Sequence, residues 1–308
     1  MANWKDILNE LNREGSTYDI VRRKHLKKLS DYTKRNTIAY YSGWLQKNTR
    51  ELQNVLGIND YDKNGFMTAV HGLDSEKGLD LLLHTPGGEV AATESIIDYL
   101  LKKFDDIRVV VPQLAMSAGT MMACSSDKIL MGRQSSLGPI DPQYMGLPAH
   151  GVLEEFEKAY KEIKEDQTKI FVWRPILEKY NPTLLGECEK SIAWAEQIVE
   201  ENLKNRMFKS ESGRAKTNKI KKIKKELGDH SVNLSHSRHI SAEKCTELGL
   251  KIEMMEDDQK LQDLVLTVHH CFIHTLSGTP AFKIIENNKG TTLVQSMQSM
   301  VLPVQNRK

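Results

Sequence analysis

In the stretch "RVVVPQLAMSAGTMMACSS", Ser117 stands just past an apolar run and at the head of a segment of small residues. A serine hydroxyl there can attack a carbonyl if a base takes its proton and backbone N–H groups receive the charge that develops on the carbonyl oxygen. The start of a helix offers such N–H groups, because its first turn has no intrahelical acceptors for them. Ala118 supplies one beside the Ser117 hydroxyl. A second turn, "HTPGGEV", holds Gly87 and Gly88, and glycine lets the main chain approach a ligand closely. Taken alone, each turn has an ordinary reading: the PGG run as a tight strand-to-helix connection, and Ser117 as a helix N-cap. Together they can form a nucleophile and an oxyanion hole, provided that the strands before them are neighbours in a parallel sheet and both turns lie at its carboxyl edge.

The elements around the two turns have the pattern this requires. "GLDLLLH" and "DIRVVVPQLA" are apolar runs of strand length, "NTIAYYSGWL" is rich in β-branched and aromatic residues, and "DKILMG" is a further short strand. Between them, "EVAATESIIDYLLKKF" spaces Val90, Ile96, Ile97, Leu100 and Leu101 as one helix face. Strands apolar on both faces and alternating with helices predict a largely parallel sheet covered by helices. From Val152 to Leu227 the pattern is mainly helical. "HISAEKCTELGLKIEMM" then reads as a helix ending at Gly249 and a last strand, and "DDQKLQDLVLTVHHCFIHTL" as another helix. The tail from Gly278 carries weak signals. At the amino end, "WKDILNELNRE" places Trp4, Ile7, Leu8 and Leu11 on one face. The basic run "VRRKHLKKLSDYTKR" keeps an apolar stripe of Val21, Leu26 and Leu29, so its charges are expected on a solvated helix face. The division this gives is a helical extension over 1–35, a catalytic domain over 36–255, and a helical extension with a tail over 256–308.

Composition removes several function classes. With 43 basic and 41 acidic residues the formal charge is +2, so no global field favours nucleic acid or a membrane surface. Cys124, Cys188, Cys245 and Cys271 are widely spaced with no C-x-x-C pair, which argues against a zinc site or a disulfide framework and fits a reducing compartment. The longest uncharged run, Val109 to Cys124, is shorter than the roughly 20 residues of a membrane span. The amino terminus is charged early and lacks an apolar leader core. A cytoplasmic protein without a membrane span is expected. No G-x-G-x-x-G follows a strand, so no dinucleotide cofactor is inferred.

The pair "LLLHTPGGEVAATESIIDYL" and "VPQLAMSAGTMMACSSDKILMGRQSSLGPIDPQ" resembles the serine dehydrogenase proteinase family, relatives of signal peptide peptidase A in the Clp protease and crotonase superfamily. The resemblance runs roughly from Asn36 to Met255, and Ser117 follows Gly88 by the interval seen between the corresponding residues of the Clp proteolytic subunit. It implies an α/β Clp protease/crotonase-like fold, a mostly parallel sheet of repeated strand-helix units with helical additions at both ends. It further implies Ser117 as nucleophile, the Gly88 and Ala118 N–H groups as an oxyanion hole shaped by Gly87, a peptide or protein substrate, no cofactor, and a homo-oligomer. Replacing Gly88 by a β-branched residue is then expected to lower turnover and leave the fold intact.

The base is not fixed by the resemblance. The Clp subunit has a histidine soon after its serine, and here only His150 follows, in another register. Related peptidases use a lysine, which makes Lys158 the first candidate, ahead of Lys161, Lys164 and Lys169. Such a lysine must be desolvated to become neutral, whereas a histidine near its reference value of about 6.5 needs little tuning. His236 is the second candidate. In "SHSRHIS" it lies beside Ser237, which stands where the Clp triad has its aspartate, so the acid is missing; His239 lies close by. "VHHCFIH" offers His269, His270 and His274 near Cys271, but the apolar stripe Leu264, Val268, Phe272 and Leu276 favours packing over a metal site. Two other readings remain open: a crotonase-like acyl-CoA enzyme that keeps the oxyanion hole without a nucleophile, and a scaffold whose "RAKTNKIKKIKK" segment contacts an acidic partner, nucleic acid being the less favoured choice.

Overall fold

The structure is a computed structural model that describes residues 18–297 except 48, 50, 145 and 229–234, together with Ile7 and Glu10. The amphipathic run at the amino end otherwise lies outside the described residues. Helix α1 (Tyr18–Thr33) leads into β1 (Asn36–Ser42), α2 (Asp60–Val70), β2 (Leu79–His84), α3 (Val90–Leu101), β3 (Ile107–Val111), α4 (Ala118–Cys124) and β4 (Lys128–Met131). A helical stretch follows: α5 (Ala149–Glu165), α6 (Ile170–Leu177), α7 (Leu184–Asn205) and α8 (Gly213–Gly228). The chain returns through α9 (Ala242–Leu248), β5 (Ile252–Met254), α10 (Gln259–Gly278), β6 (Ala281–Asn287) and β7 (Thr292–Ser296).

Seven strands form the main sheet in the order β5-β4-β3-β2-β1-β6-β7, with β1 to β5 parallel and β6 and β7 antiparallel. This is the α/β architecture expected, mostly parallel but mixed. Each parallel connection steps one strand the same way, so right-handed crossovers place the crossover helices on one face. The two sides of the strands divide accordingly. Ile38, Tyr40, Leu81, Leu83, Val109, Val111 and Ile129 pack in one core with Phe66, Ile96, Met121 and Ile198. Ala39, Tyr41, Leu82, Val110 and Leu130 pack in the other with Leu26, Leu29, Val265 and Phe272, from α1 and α10. Alternation along a pleated strand requires this division, and strands buried on both faces explain why β1, β2 and β3 are buried throughout.

Two sequence expectations are corrected. The tail after Gly278 forms β6 and β7, and β6 pairs with β1 from Ile38↔Asn287 to Ser42↔Lys283, so it completes the sheet. The charges of α1 are not all solvated: Arg22 is fully buried, with Nε 2.5 Å from Glu286 Oε2 on β6. A buried carboxylate needs a partner, and this ion pair docks α1 against the antiparallel end of the sheet. Gly249 closes α9 as expected, in the left-handed conformation with φ 102°.

At the carboxyl end of β2, His84 is wholly buried among Tyr41, Trp44 and His269, and neither ring nitrogen has a hydrogen-bond partner among the described residues. Burial pushes the His84 imidazole down to about 3. It pushes His269 well below the ordinary value, with His84 and His270 adding to the effect. The folded state therefore prefers neutral rings, and the unfolded chain takes up protons below about 6.5. The stability that neutral His84 allows is complete above about pH 6.5 and is lost as the pH falls toward 3, by about 1.4 kcal/mol per pH unit, and neutral His269 acts in the same direction. Urea unfolding of wild type and His84→Leu between pH 7 and pH 4 should show the shallower acid slope in the variant. Identical slopes would show that His84 does not take up a proton on unfolding.

Candidate active site

The site grows from β2 and β3, which are paired in parallel from Leu79↔Ile107 to Leu82↔Val110. Pairing resumes past their ends: Thr85 N–H donates to Leu114 O at 3.1 Å and Met116 N–H to Thr85 O at 3.0 Å. The Gly87–Gly88 turn and Ser117 are thereby brought to the same carboxyl edge, as the sequence reading required. They touch. A Cβ built on Gly87, whose φ is +99°, would lie 2.6 Å from Ser117 Cβ and 3.0 Å from Ala118 N.

Ser117 is not an N-cap in the usual sense. Its φ of 51° and ψ of −115° lie where non-glycine residues are rare, and its side chain makes no capping hydrogen bond. The conformation is held by the backbone around it, through Thr120 N–H on Ser117 O at 2.8 Å and Gly119 N–H on Met116 O at 2.8 Å. Thr120 Oγ1, wholly buried, shares its single proton between Ala115 O and Gly138 O at 2.9 and 2.8 Å and accepts from Gly138 N–H at 3.0 Å, and so ties the first turn of α4 to the "LGPIDP" turn.

Gly88 is bracketed from the other side by Ile58. Ile58 N–H donates to Gly87 O at 2.7 Å, and Glu89 N–H to Ile58 O at 2.9 Å. In extended chain, when the flanking groups of a residue face a neighbour, its own N–H and C=O face the opposite way. The Gly88 N–H thus turns away from Ile58. Neither it nor the Ala118 N–H donates to an acceptor among the described residues.

A cavity of about 750 Å³ opens over these groups, lined by Gly87, Gly88 and Ser117, by apolar side chains that include Trp44, Leu56, Met121 and Ile140, and by His236. His236 Nδ1 lies 2.9 Å from Oδ1 of Asp141, whose side chain is fully buried, and the histidine keeps about a quarter of its own side chain exposed. A small three-stranded sheet gathers the three segments: Leu114–Ala115 runs parallel to Ser136–Leu137, which pairs antiparallel with Ile240–Ser241. Each strand lies within four residues of Ser117, Asp141 or His236.

Asp141 is the residue that sequence reasoning missed. It stands in the "GPIDP" turn and not beside the histidine, so the carboxylate partner of His236 comes from another segment. An aspartate between two prolines in an otherwise apolar turn was the available signal. The structure does not bring Lys158 to the cavity. It is exposed on α5, in a groove with Leu153, Glu154, Glu157 and Lys161. Lys161 pairs with Glu157, Lys169 with Glu162, and Lys164 lies over the Tyr160 ring. His239 is exposed outside the cavity lining, and His269 packs against Tyr41 and His84 on the opposite face of the sheet. Four lysines of the basic segment on α8 are engaged within the chain: Lys219 with Glu211, Lys224 with Glu196 and Glu200, and Lys216 and Lys222 with backbone carbonyls. The four cysteines are free and buried, and burial raises the Cys124 and Cys245 thiols well above the reactive range. Among the described residues, no helix is long and apolar enough to cross a membrane.

A model of the ClpP-like SDH-type serine proteinase family matches residues 20–271. Two uncharacterized proteins of Methanocaldococcus jannaschii are similar. One is 31% identical over 192 residues, 62% of this chain and 59% of the relative. The other is 28% identical over 209 residues, 66% of this chain and 63% of the relative. The chain thus spans about three fifths of the length of the curated relatives it matches.

The packing around Gly88 corrects the expectation that a β-branched residue leaves the fold intact. A Cβ there would fall 2.2 Å from Ile58 N and 2.3 Å from Ile58 O, contacts that backbone cannot yield cheaply. Gly88→Val should therefore lower the melting temperature by several degrees as well as abolish turnover, since about 1 kcal/mol shifts a domain of this size by roughly 2–4 °C. A melting curve superimposable on wild type would refute the bracketing by Ile58.

Proposed function

This chain belongs to the ClpP-like SDH-type serine proteinase family over residues 20–271, and on that premise we propose that it hydrolyses peptide bonds with Ser117 as nucleophile, His236 as general base and Asp141 as the group that orients the base. The observation that carries this reading is the pairing of His236, which lines the same cavity as Ser117, with the buried carboxylate of Asp141.

The chemistry follows from the hydrogen-bond assignment. An Asp141 carboxylate accepts the Nδ1–H of His236, which leaves the lone pair on Nε2 available as a base. With substrate bound, Nε2 takes the Ser117 Oγ proton as Oγ bonds to the scissile carbonyl carbon. The carbonyl π pair moves onto oxygen, where the N–H groups of Gly88 and Ala118 receive the negative charge. Collapse of this intermediate restores the C=O bond and breaks the C–N bond, and the leaving amine takes the proton from His236. Water then attacks the acyl-serine with His236 again as base, which releases the carboxylic acid and regenerates the hydroxyl. The strained Ser117 backbone supports the nucleophile assignment, since such conformations persist where the surroundings enforce them and cluster at reactive groups. Lys158 fits the base role less well, because an exposed ammonium among glutamates has nothing to desolvate it.

Turnover of a dye-labelled unfolded protein tests the assignment. Ser117→Ala and His236→Ala should each lose on the order of 10⁴-fold or more, and Asp141→Asn about 10²- to 10⁴-fold. Lys158→Ala should stay within about twofold, as surface substitutions do. A Lys158→Ala protein that is folded and inactive, beside an active His236→Ala protein, would return the base to the lysine.

A further inference from the structure

Lys283 is among the most deeply buried charged side chains of the molecule, and neither the family match, which ends at residue 271, nor the mechanism above uses it. It rises from β6 with no solvent exposure. Its Nζ donates to both carboxylate oxygens of Asp62 at 2.9 Å and to Gly57 O at 2.7 Å, which uses all three ammonium protons. Asp62, equally buried, also accepts from Tyr40 Oη at 2.8 Å, Gln295 Nε2 at 3.0 Å and Asn59 N–H at 3.1 Å. A buried ion pair of this kind adds little stability over an apolar pair of similar volume, because desolvation offsets the attraction. What it does fix is geometry. The Gly57 carbonyl it holds belongs to the Leu56–Ile58 segment, which lines the cavity, and Ser42 Oγ holds the preceding carbonyl, Leu56 O, at 2.7 Å. The next residue, Ile58, makes the two backbone bonds that bracket Gly88. Gly57 itself packs on the turn, where a Cβ would meet Gly87 O at 3.2 Å and Gly88 Cα at 3.3 Å.

We propose that Lys283, paired with Asp62, is a positioning residue for acyl transfer: it anchors the Gly57 carbonyl so that Ile58 holds the Gly88 N–H on the developing oxyanion. The proposal rests on Ser117 being the nucleophile. It assigns the carboxyl-terminal hairpin a part in the chemistry, although none of its residues lines the cavity.

Its signature is a loss confined to the transition state. A donor displaced by a fraction of an ångström binds the ground-state carbonyl nearly as well but fails the tetrahedral oxyanion. Lys283→Met leaves Asp62 uncompensated and can fail to fold, so the decisive protein is Lys283→Met with Asp62→Asn, which removes both charges at nearly constant volume. For a short peptide substrate, kcat of the double variant should fall on the order of 10- to 100-fold with KM within about twofold. Affinity for a peptide boronate, which forms a tetrahedral adduct on serine, should fall in parallel with kcat. Ile284→Ala, on the opposite face of the same strand, is the stability control: with a comparable loss in melting temperature it should keep its kcat. A folded double variant with wild-type kcat would overturn the proposal, and so would an Ile284→Ala protein whose kcat falls as far. Fluorophosphonate labelling separates this from the nucleophile assignment. If wild-type Ser117 labels and the double variant behaves as wild type, the positioning role alone fails; if wild-type Ser117 does not label, both fail.

Discussion

Three strands of two residues each, joined by two ladders, govern where Ser117, Asp141 and His236 come together. Leu114–Ala115, Ser136–Leu137 and Ile240–Ser241 make a sheet too small to stand alone. It persists because the first of these strands continues the edge of the main sheet through Thr85 and because Thr120 binds both Ala115 and Gly138. Through it, segments separated by more than a hundred residues of mainly helical chain deliver His236 to Asp141, and both to the turn that holds Ser117. Were the last strand to pair one residue out of register, the side chains of Ile240 and Ser241 would exchange faces.

Around this ladder the chain carries local strain. Ser117 holds a backbone conformation that costs on the order of 1–3 kcal/mol, and Gly87 is glycine because any side chain there would strike the serine. The cost is distributed over bonds from Thr85, Met116, Thr120 and Ile58, all made by main chain or by a buried threonine. Rigid support of this kind is what the proposed oxyanion hole requires, since its donors must already point at charge that does not yet exist in the ground state. The buried Lys283–Asp62 pair extends the same logic to the far wall of the cavity.

What was legible in the sequence and what was not divides along local against long-range information. The strands "LDLLLH" and "IRVVV", the turns after them and the short helix at Ala118 are local, and each formed where the residues indicated. Strand β6, "AFKIIEN", was hidden because Lys283 and Glu286 break its apolar run; both are buried by partners, Asp62 and Arg22, more than two hundred residues away. For the same reason Arg22 read as a surface charge. Asp141 escaped because its partner is set by the small sheet and not by sequence proximity. The choice of Lys158 rested on an interval along the chain, and an interval says nothing of direction: α5 carries that residue out to solvent.

The central claim is that Ser117 is the nucleophile and that His236, held by Asp141, activates it. The most direct measurement is the rate and position of covalent labelling by a fluorophosphonate, with the modified peptide identified by mass spectrometry. The account predicts a single adduct on Ser117 in wild type, its absence in Ser117→Ala, and labelling slowed on the order of 10²-fold or more in His236→Ala. An adduct on another residue, or unchanged labelling of Ser117 once His236 is removed, would contradict it.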